Sequence, residues 1–429
     1  MEKIILCFAG SLLLLTSFVQ AGNWPHWRGE SGNGVSTTAK PPTQWSATKN
    51  VKWKVAVPGL GSGSPVIWGD RIFVTSAVGT ANSKELQFKL FCFDRQTGDV
   101  KWEKTAVTAT PHQGTHNTNG FASASPCTDG EHVFASFGSR GLYCYTMDGD
   151  LKWKRDDFPP MRTRNSFGEG SSPTLEGDKI LVPWDHEGQS FLYALNKLTG
   201  QEIWKTPRDS ATCWATPLVV EFAGHKQVVM NGQKTARAYD LETGKELWHC
   251  DGQTERPAAS PVAADGLVYV GSGFRGAYLG ALRLDGRGDI KGTKHVAWEI
   301  DKDTPDVGSF LLSSGRIYYF KDKAGILTCV NAATGERHFG PVRTGLNVIY
   351  ASPVAAGGFV YLTDRSGTTV VIKDAPTFEI VATNSVGETV DATPAPVDRE
   401  LFIRGQKHLF CIAEYTVFTV RGRGGTQLL

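Results

Sequence analysis

The sequence has no large excess of charge, no closely paired cysteines and, beyond residue 21, no apolar run long enough to cross a membrane. Its 45 lysines and arginines nearly balance 43 aspartates and glutamates, which argues against a dedicated nucleic-acid-binding protein, since such proteins are usually basic. No Cys-x-x-Cys or Cys-Cys pair occurs among the 8 cysteines, so neither a zinc motif nor a redox motif is supported. A G-x-S-x-G elbow, a P-loop and a dinucleotide fingerprint are also missing.

The first residues, MEKIILCFAGSLLLLTSFVQA, have the pattern of a secretory signal peptide. Lys3 precedes an apolar run from Ile4 to Val19, and small residues at its end supply a cleavage site. The run is short for a membrane anchor, and Cys7 lies inside it without a lipid-attachment pattern. We therefore predict a signal peptide over residues 1–21 and an exported protein, periplasmic or extracellular.

What the sequence does contain is turns, aromatic residues and a repeat. Glycine reaches 48 residues and tryptophan 12, and segments such as LVYVGS and RIYYFK are rich in β-branched and aromatic residues, which favours an all-β chain. One short unit recurs as CFDRQTGDVKW, ALNKLTGQEIW, AYDLETGKELW and CVNAATGERHF. A larger unit starts at a Ser/Thr-Pro dipeptide, replaced once by Ser-Phe; the eight starts are Ser64, Ser125, Ser172, Thr216, Ser260, Ser309, Ser352 and Thr393.

The spacing of these starts predicts an eight-bladed β-propeller of four-stranded antiparallel blades. They lie 61, 47, 44, 44, 49, 43 and 41 residues apart, and most units read as four short strands. The last unit supplies only three strands, and the missing one is NVKWKVAV at residues 50–57. The N-terminal strand should therefore complete the last blade and close the ring, which removes exposed sheet edges. We predict a propeller over 50–413, an N-terminal extension across one face at 22–49 and a C-terminal tail at 414–429.

The short repeated unit predicts how neighbouring blades pack. Its glycine permits a tight turn, and its tryptophan covers the seam between two blades. The predicted seam aromatics are Trp53, Trp102, Trp153, Trp204, Trp248, Trp298, Phe339 and Phe378. One repeat position holds cysteine, alanine or valine, which indicates a small buried slot; its cysteines are Cys92, Cys144, Cys329 and Cys411. The state of Cys127, Cys213 and Cys250 stays open.

The unit resembles the pyrroloquinoline-quinone (PQQ) repeat, A-x-D-x-x-T-G-x-x-x-W. That repeat occurs in quinoprotein alcohol dehydrogenases and in the propeller subunit of the outer-membrane β-barrel assembly machine. The resemblance covers residues 50 to 413, and WPHWRGESGNGVS is similar to the W-x-x-W-R-G opening of secreted bacterial propellers of this superfamily. The resemblance implies the eight-bladed fold, and it implies either a binding scaffold or a PQQ enzyme.

Candidate site residues come from one end of the predicted propeller, which we call the mouth face. It carries the connections that enter each blade and the turns between second and third strands. Six of those turns place a cation there: Arg140, Lys234, Arg275, Lys323, Arg365 and Lys407. The other candidates are His112, His116, Asn117, Arg162, Arg164, Glu169, Asp185, His186, Trp214, Tyr350 and Asp391. Together they predict a basic rim around a central mouth that attracts an anionic ligand.

Two functions follow from this arrangement. We expect an exported, monomeric, non-catalytic scaffold that binds a protein partner or an anionic small molecule, with no metal and no nucleic acid. The alternative, implied by the resemblance, is a PQQ-dependent dehydrogenase with calcium, in which Trp214 stacks on the cofactor and Asp391 or Glu169 serves as base or calcium ligand. The sequence departs from those enzymes because it lacks their vicinal Cys-Cys pair. His112 and His116 are read as loop anchors, since no helical register or partnering glutamate makes them a metal pair.

Overall fold

The fold is an eight-bladed β-propeller, as the repeat predicts. A computed structural model describes residues 22–79, 84–414, 419–422 and 425–428, and the predicted signal peptide at 1–21 lies outside this range. Eight sheets each contain four consecutive antiparallel strands of a blade, two of them with one short added strand. In the described part of the chain, the only helical segments are two single 3-10 turns, Gly138–Arg140 and Arg164–Ser166.

The blades follow one another along the chain. Blades 1 to 4 consist of Val66–Trp68, Arg71–Gly79, Leu86–Asp94 and Val100–Ala109; Cys127–Thr128, His132–Ser136, Leu142–Thr146 and Leu151–Arg155; Thr174–Glu176, Lys179–Trp184, Ser190–Asn196 and Glu202–Arg208; and Leu218–Phe222, His225–Met230, Thr235–Asp240 and Glu246–Asp251. Blades 5 to 8 consist of Val262–Ala264, Leu267–Ser272, Tyr278–Arg283 and Val296–Ile300; Leu311–Ser313, Arg316–Lys321, Ile326–Asn331 and Arg337–Arg343; Val354–Ala356, Phe359–Thr363, Thr368–Lys373 and Ile380–Ser385; and Ala395–Val397, Glu400–Arg404, His408–Ala413 and Val51–Ala56.

Four short strands lie outside this pattern. Val35–Ser36 pairs in parallel with the first strand of blade 7, and Gly288–Asp289 pairs in parallel with the last strand of blade 4. Near the C-terminus, Thr419–Gly422 and Gly425–Leu428 form a separate antiparallel pair.

The N-terminal strand closes the ring. Val51–Ala56 pairs antiparallel with His408–Ala413 and places Trp53 opposite Cys411. This confirms the predicted closure, in which the two ends of the propeller share the last blade. Every blade of the ring then has its outer strand. The edge of His408–Ala413, which a three-stranded last blade would expose, is covered by Val51–Ala56.

The eight Ser/Thr residues that mark the repeats form a second, inner ring. The backbone N–H of each donates to the hydroxyl oxygen of the next at 2.8 to 3.1 Å. All eight residues are buried, so each N–H would lack a partner without the neighbouring hydroxyl. Ser309, which lacks the following proline, takes part like the others. We call these eight residues the hydroxyl ring.

Tryptophans lie at most seams between blades. The indole N–H of Trp153 donates to the Lys197 carbonyl of the next blade at 2.8 Å, and its ring lies against Gly200, where a Cβ would come within 2.6 Å. Trp53, Trp102, Trp204 and Trp298 make the same kind of bond to the next blade, at 2.9 to 3.0 Å. Trp248 differs, because its indole donates to Gln227 of its own blade and the added strand Gly288–Asp289 pairs alongside it.

One predicted seam aromatic is wrong. In blade 7 the register position opposite Val371 is taken by Ala382, whereas Phe378 lies in the preceding turn. Phe378 packs against Phe339 of blade 6 with ring centroids 5.5 Å apart, so it still contributes to the seam from the other side. The turn of blade 7 lacks the regular spacing of the other units, and for that reason alignment by sequence alone misplaces the residue.

The seven described cysteines are all buried and none is in a disulfide. Cys92, Cys144, Cys329 and Cys411 each lie opposite the seam aromatic of their blade, in a slot with no exposed surface. Cys127, Cys213 and Cys250, whose state the sequence left open, are likewise free.

Residues 22–36 contact the propeller on the far side of the hydroxyl ring from the mouth face. The guanidinium of Arg28 is 2% exposed and donates to the carbonyls of Pro353 at 2.8 Å and of Phe310. These two acceptors each follow a member of the hydroxyl ring directly in sequence. Burial lowers the pKa of Arg28 to about 9. The W-x-x-W-R-G motif therefore anchors the N-terminal segment across the centre of this end of the propeller.

Candidate functional site

The mouth face surrounds a central cavity of about 410 Å³. Its walls follow from the repeat, because the residue two positions before each member of the hydroxyl ring lines it in seven of eight blades. These seven residues are Ser62, Gly170, Trp214, Ala258, Val307, Tyr350 and Asp391. The exception is Ser123, which lines a neighbouring, smaller cavity. The equivalent residues of seven blades thus line one cavity, and their side-chain chemistry differs from blade to blade.

The cavity brings together seven of the seventeen candidate residues predicted from the sequence. Seven line it directly: His116, Arg164, Trp214, Arg275, Lys323, Tyr350 and Asp391. Arg365 lies next to it, with Nε 3.7 Å from Asp391 Oδ1 and its guanidinium 5.8 Å from the Tyr350 ring.

Cations dominate the cavity, although most of them have carboxylate partners. Glu255 Oε2 lies 2.8 Å from Arg164 and 3.7 Å from Arg275. Arg256 lies 3.6 Å from Asp306. Lys323 takes part in no ion pair within the described chain. The lining residues and their ion-pair partners hold five cations and three carboxylates, so the site carries a net positive charge that favours an anion.

Asp391 is the carboxylate that faces the cavity itself. Its side chain is 16% exposed, and its buried Oδ1 has no hydrogen-bond partner. Burial raises the pKa of Asp391 to about 6, although the nearby Arg365 acts in the opposite direction. At neutral pH the group is therefore largely ionised and poorly solvated.

A hydrogen-bonded chain connects His116 to Lys323 along one wall. Thr118 Oγ1 lies 2.8 Å from His116 Nδ1 and donates to the Tyr350 hydroxyl at 2.9 Å. Lys323 Nζ donates to the same hydroxyl at 3.3 Å. Burial, together with the positive charges of Lys323, Arg365 and Arg256, lowers the pKa of His116, so its imidazole is neutral at pH 7. This chain fixes the positions of a hydroxyl and an ammonium group at the cavity wall.

Sequence reasoning missed the pair Arg256 and Phe274, which both line the cavity. The Arg256 guanidinium lies 3.3 Å from the centre of the Phe274 ring, and that of Arg275 lies 5.2 Å from it. Burial lowers the pKa of Arg256. Arg256 belongs to the connection that enters blade 5, and Phe274 directly precedes Arg275. A consistent search of every entering connection and second turn would have found both residues.

Glu169 and His112 do not line the central cavity, contrary to expectation. Glu169 stands three positions before Ser172 rather than two, and successive side chains of an extended segment point in opposite directions. Its carboxylate accepts from the Ser139 backbone at 2.6 Å and hydroxyl at 2.5 Å, and burial raises its pKa. His112 Nε2 lies 3.8 Å from Glu169 and 2.7 Å from the Met161 carbonyl. These two residues border a separate, smaller cavity.

The DHEG segment of blade 3 also lies away from the cavity. Asp185 forms a buried ion pair with Arg208 at 2.8 Å, so its charge is already compensated. His186 is 5% exposed, and its Nδ1 accepts from the backbone N–H of Arg162 at 3.2 Å. Arg162 and Asn117 are exposed and are not among the lining residues.

The predicted rim of six turn cations is therefore wrong in its extent. Only Arg275 and Lys323 of that set line the cavity, whereas Arg140 contacts His112. Arg365 holds the same position in its four-residue turn as Lys323 does in blade 6, but it lies beside the cavity and does not line it. Arg164 and Arg256, which enter from connections between blades, supply the rest of the positive charge.

Two further features of the described residues bear on function. No group of three or more histidine, cysteine, aspartate or glutamate side chains is placed to hold a metal ion. Among the helices of this part of the chain, none has the length and apolar character needed to cross a membrane.

The fold and the cavity define a closed eight-bladed propeller with a ligand-sized cavity at one end. A family model described as outer membrane protein assembly factor BamB matches residues 35–165 and 149–416. The chain therefore belongs to the PQQ-repeat β-propeller family.

Named relatives of this chain are distant. Polyvinylalcohol dehydrogenases from a Pseudomonas species and from Sphingopyxis strain 113P3 are each 24% identical, over 243 and 280 residues. These matches cover 46% and 53% of this chain but 35% and 39% of the relatives, so the chain spans well under half the length of the curated relatives it matches.

Solved structures share the architecture at low sequence identity. BamB from Moraxella catarrhalis matches 84% of this chain and 99% of its own, with a TM-score of 0.57 and 12% identity. A europium-containing methanol dehydrogenase matches 90% of both chains, with a TM-score of 0.62 and 12% identity. The quinohemoprotein alcohol dehydrogenase of Comamonas testosteroni matches 94% of this chain and 83% of its own, again with a TM-score of 0.62 and 12% identity. These likenesses show the fold.

Proposed function

We propose that this chain is an exported, non-catalytic binding protein whose central cavity takes up an anionic small molecule. The observation that carries the proposal is the net positive cavity, in which Lys323 has no carboxylate partner among the described residues. A cavity of about 410 Å³ suits a small organic ligand. The signal-peptide pattern of residues 1–21 supports export.

The direct test is calorimetric titration of the full mature chain with a panel of small organic anions: PQQ, cyclohexanecarboxylate and D-glucuronate. Lys323→Met should weaken binding of the anion about tenfold, because a partly buried charge–charge contact is lost. Lys407→Met is the matched control, since Lys407 lies on the mouth face but outside the lining of the cavity. The proposal fails if no anion of the panel binds, or if both variants bind like the wild type.

The second candidate is a PQQ-dependent oxidoreductase, which the named polyvinylalcohol and methanol dehydrogenases favour. The cavity fits part of this cofactor, because its cations match carboxylates and Trp214 offers a flat indole. It does not fit calcium, since no cluster of carboxylates suited to a metal is present among the described residues. We therefore derive no catalytic step through PQQ.

Dye-linked oxidation of methanol and polyvinyl alcohol, with PQQ and calcium added, separates the two candidates. Binding of an anion without turnover supports the binding protein. Turnover that requires PQQ would establish the oxidoreductase instead.

A protein partner could use the same face, as the similarity to an assembly factor suggests. Arg275 is 66% exposed and would meet an acidic segment of such a partner. Affinity capture with the wild type and with Arg275→Glu would reveal it, and a partner that requires Arg275 should be lost from the variant. Equal capture by both proteins would exclude this role of Arg275.

A further inference from the structure

The central cavity has one acceptor that the protein leaves unused. Asp391 Oδ1 is buried and has no hydrogen-bond partner, and the nearest cation, Arg365 Nε, is 3.7 Å away, beyond hydrogen-bond distance. A buried carboxylate oxygen without a donor is unfavourable by comparison with one that is hydrogen-bonded. Asp306 also has an unpartnered oxygen, but it does not line the cavity. The Asp391 side chain lines the cavity and is 16% exposed, so a ligand in the cavity can reach its carboxylate group.

The charges around Asp391 decide which kind of donor fits. Arg365 lies 3.7 Å from the carboxylate, and Lys323 lies along the adjoining wall, bonded to Tyr350. A ligand ammonium group would meet these cations and the net positive charge of the cavity. A neutral hydroxyl group can donate to Asp391 without that repulsion.

The aromatic residues of the cavity differ in how much of their ring is free. Phe274 and Tyr350 each have a cation over the ring, at 3.3 and 4.9 Å, and Phe167 packs edge-on against His116. Trp214 has no ring or cation contact of this kind among the described residues. Its indole N–H donates to the Gly168 carbonyl at 2.8 Å, which fixes the plane of the ring. Trp214 thus offers a fixed, flat apolar surface to a ligand.

We infer that the ligand is a hydroxylated cyclic organic anion of the sugar-acid class. Its anionic group lies among Lys323, Arg164 and Arg275, a hydroxyl donates to the Asp391 carboxylate, and an apolar face of its ring covers Trp214. Asp391 is then the residue that selects hydroxylated anions over other anions. This inference rests on the proposed function, since it specifies the ligand of the same cavity.

The experiment compares three probes of similar size by calorimetry at pH 7.5. D-glucuronate has the charge and the hydroxyls, cyclohexanecarboxylate has the charge alone, and D-glucose has the hydroxyls alone. We expect the affinity for glucuronate to be at least about 10-fold higher than that for cyclohexanecarboxylate, because a hydrogen bond to an ionised group is gained. Glucose should bind more weakly than glucuronate, because it has no charge to place among the cations.

Asp391→Leu should reduce the glucuronate-to-cyclohexanecarboxylate affinity ratio to near one, since it removes the acceptor. Asp391→Asn retains a similar shape, and its thermal midpoint shows whether the site still folds. The control is Asp322→Asn, which removes an exposed carboxylate beside Lys323 that does not line the cavity and should leave the ratio unchanged.

The outcomes separate this inference from the function on which it rests. If cyclohexanecarboxylate binds as tightly as glucuronate, or if a folded Asp391 variant keeps the wild-type ratio, the inference is wrong while anion binding stands. If none of the anions binds, including PQQ, both the inference and the proposed function are wrong.

Discussion

The backbone N–H of Thr393 donates to the hydroxyl of Ser64 at 3.0 Å, across 329 residues of sequence. This bond joins the first blade to the last and completes the hydroxyl ring. Both residues are buried, and no other hydrogen bond of the Thr393 N–H occurs within the described structure. The ring is therefore closed at two levels, by this bond inside and by the shared β-sheet outside.

Ser64→Ala should lower the free energy of unfolding by about 1–3 kcal/mol, because it leaves the buried Thr393 N–H without an acceptor. Denaturant unfolding measures the change. The control is Ser385→Ala, which removes an exposed serine hydroxyl whose bond to the Gly387 N–H water can replace. Equal midpoints for the two variants would show that the inner ring contributes little to stability.

Gly200→Ala should destabilise the fold more than Gly177→Ala, although both glycines lie in blade 3 with positive φ, +71° and +58°. At position 177 the added Cβ meets no atom within 4 Å. The substitution then lowers the free energy of unfolding by about 1–2 kcal/mol, because alanine must adopt the left-handed backbone conformation. At 200 the added carbon would also lie 2.6 Å from Trp153 Cε3, which adds about 1–3 kcal/mol of overpacking. Thermal and denaturant unfolding of both variants should give this order. The reverse order would contradict a tight contact between indole and turn.

Asp391→Asn should stabilise the protein at pH 7.5 by up to about 3 kcal/mol, because the ionised carboxylate is poorly solvated. The folded-state pKa of about 6 lies above the ordinary value of 3.8, so the cost is fully present above pH 6. It disappears as the pH falls towards 4, where the wild type and the variant should converge. Unfolding curves at several pH values measure the difference, with exposed Asp209→Asn as control. A difference that is constant with pH would exclude Asp391 as its source.

The affinity for an anion without hydroxyl groups should rise as the pH falls from 7.5 to 5. Protonation of Asp391, whose pKa is about 6, removes a negative charge from a cavity that Lys323 lines and Arg365 borders. Burial and the nearby cations lower the pKa of His116, so its imidazole takes up a proton at lower pH than an ordinary histidine does. Cyclohexanesulfonate is a suitable probe, because its own charge is constant. We expect a gain of up to about tenfold in the wild type.

In Asp391→Asn the affinity for cyclohexanesulfonate should depend little on pH, since the titrating carboxyl is gone. If the variant shows the same rise as the wild type, another group is responsible for the pH dependence.

The sequence by itself determined the fold of this protein. Repeated Ser/Thr-Pro starts, Thr-Gly turns and seam tryptophans are local signals that recur at regular spacing. The last unit lacks an outer strand, and residues 50–57 are the segment that can supply it. Such signals can be recognised without coordinates because each blade packs against its neighbour through the same residue types at the same repeat positions. Blade 7, where Ala382 replaces the aromatic, shows that the reading fails where the repeat loses its regular turn.

Only the tertiary structure determined which residues line the cavity. Trp214, Tyr350 and Asp391 lie two positions before the hydroxyl ring and meet at the centre, whereas Glu169, one position off that register, points elsewhere. Arg275 and Lys323 reach the cavity, whereas turn cations such as Lys407 do not line it. Orientation along an extended segment sets the first of these differences, and composition does not encode it. Packing eight blades around one axis brings residues of distant sequence positions together and gives Asp391 its raised pKa.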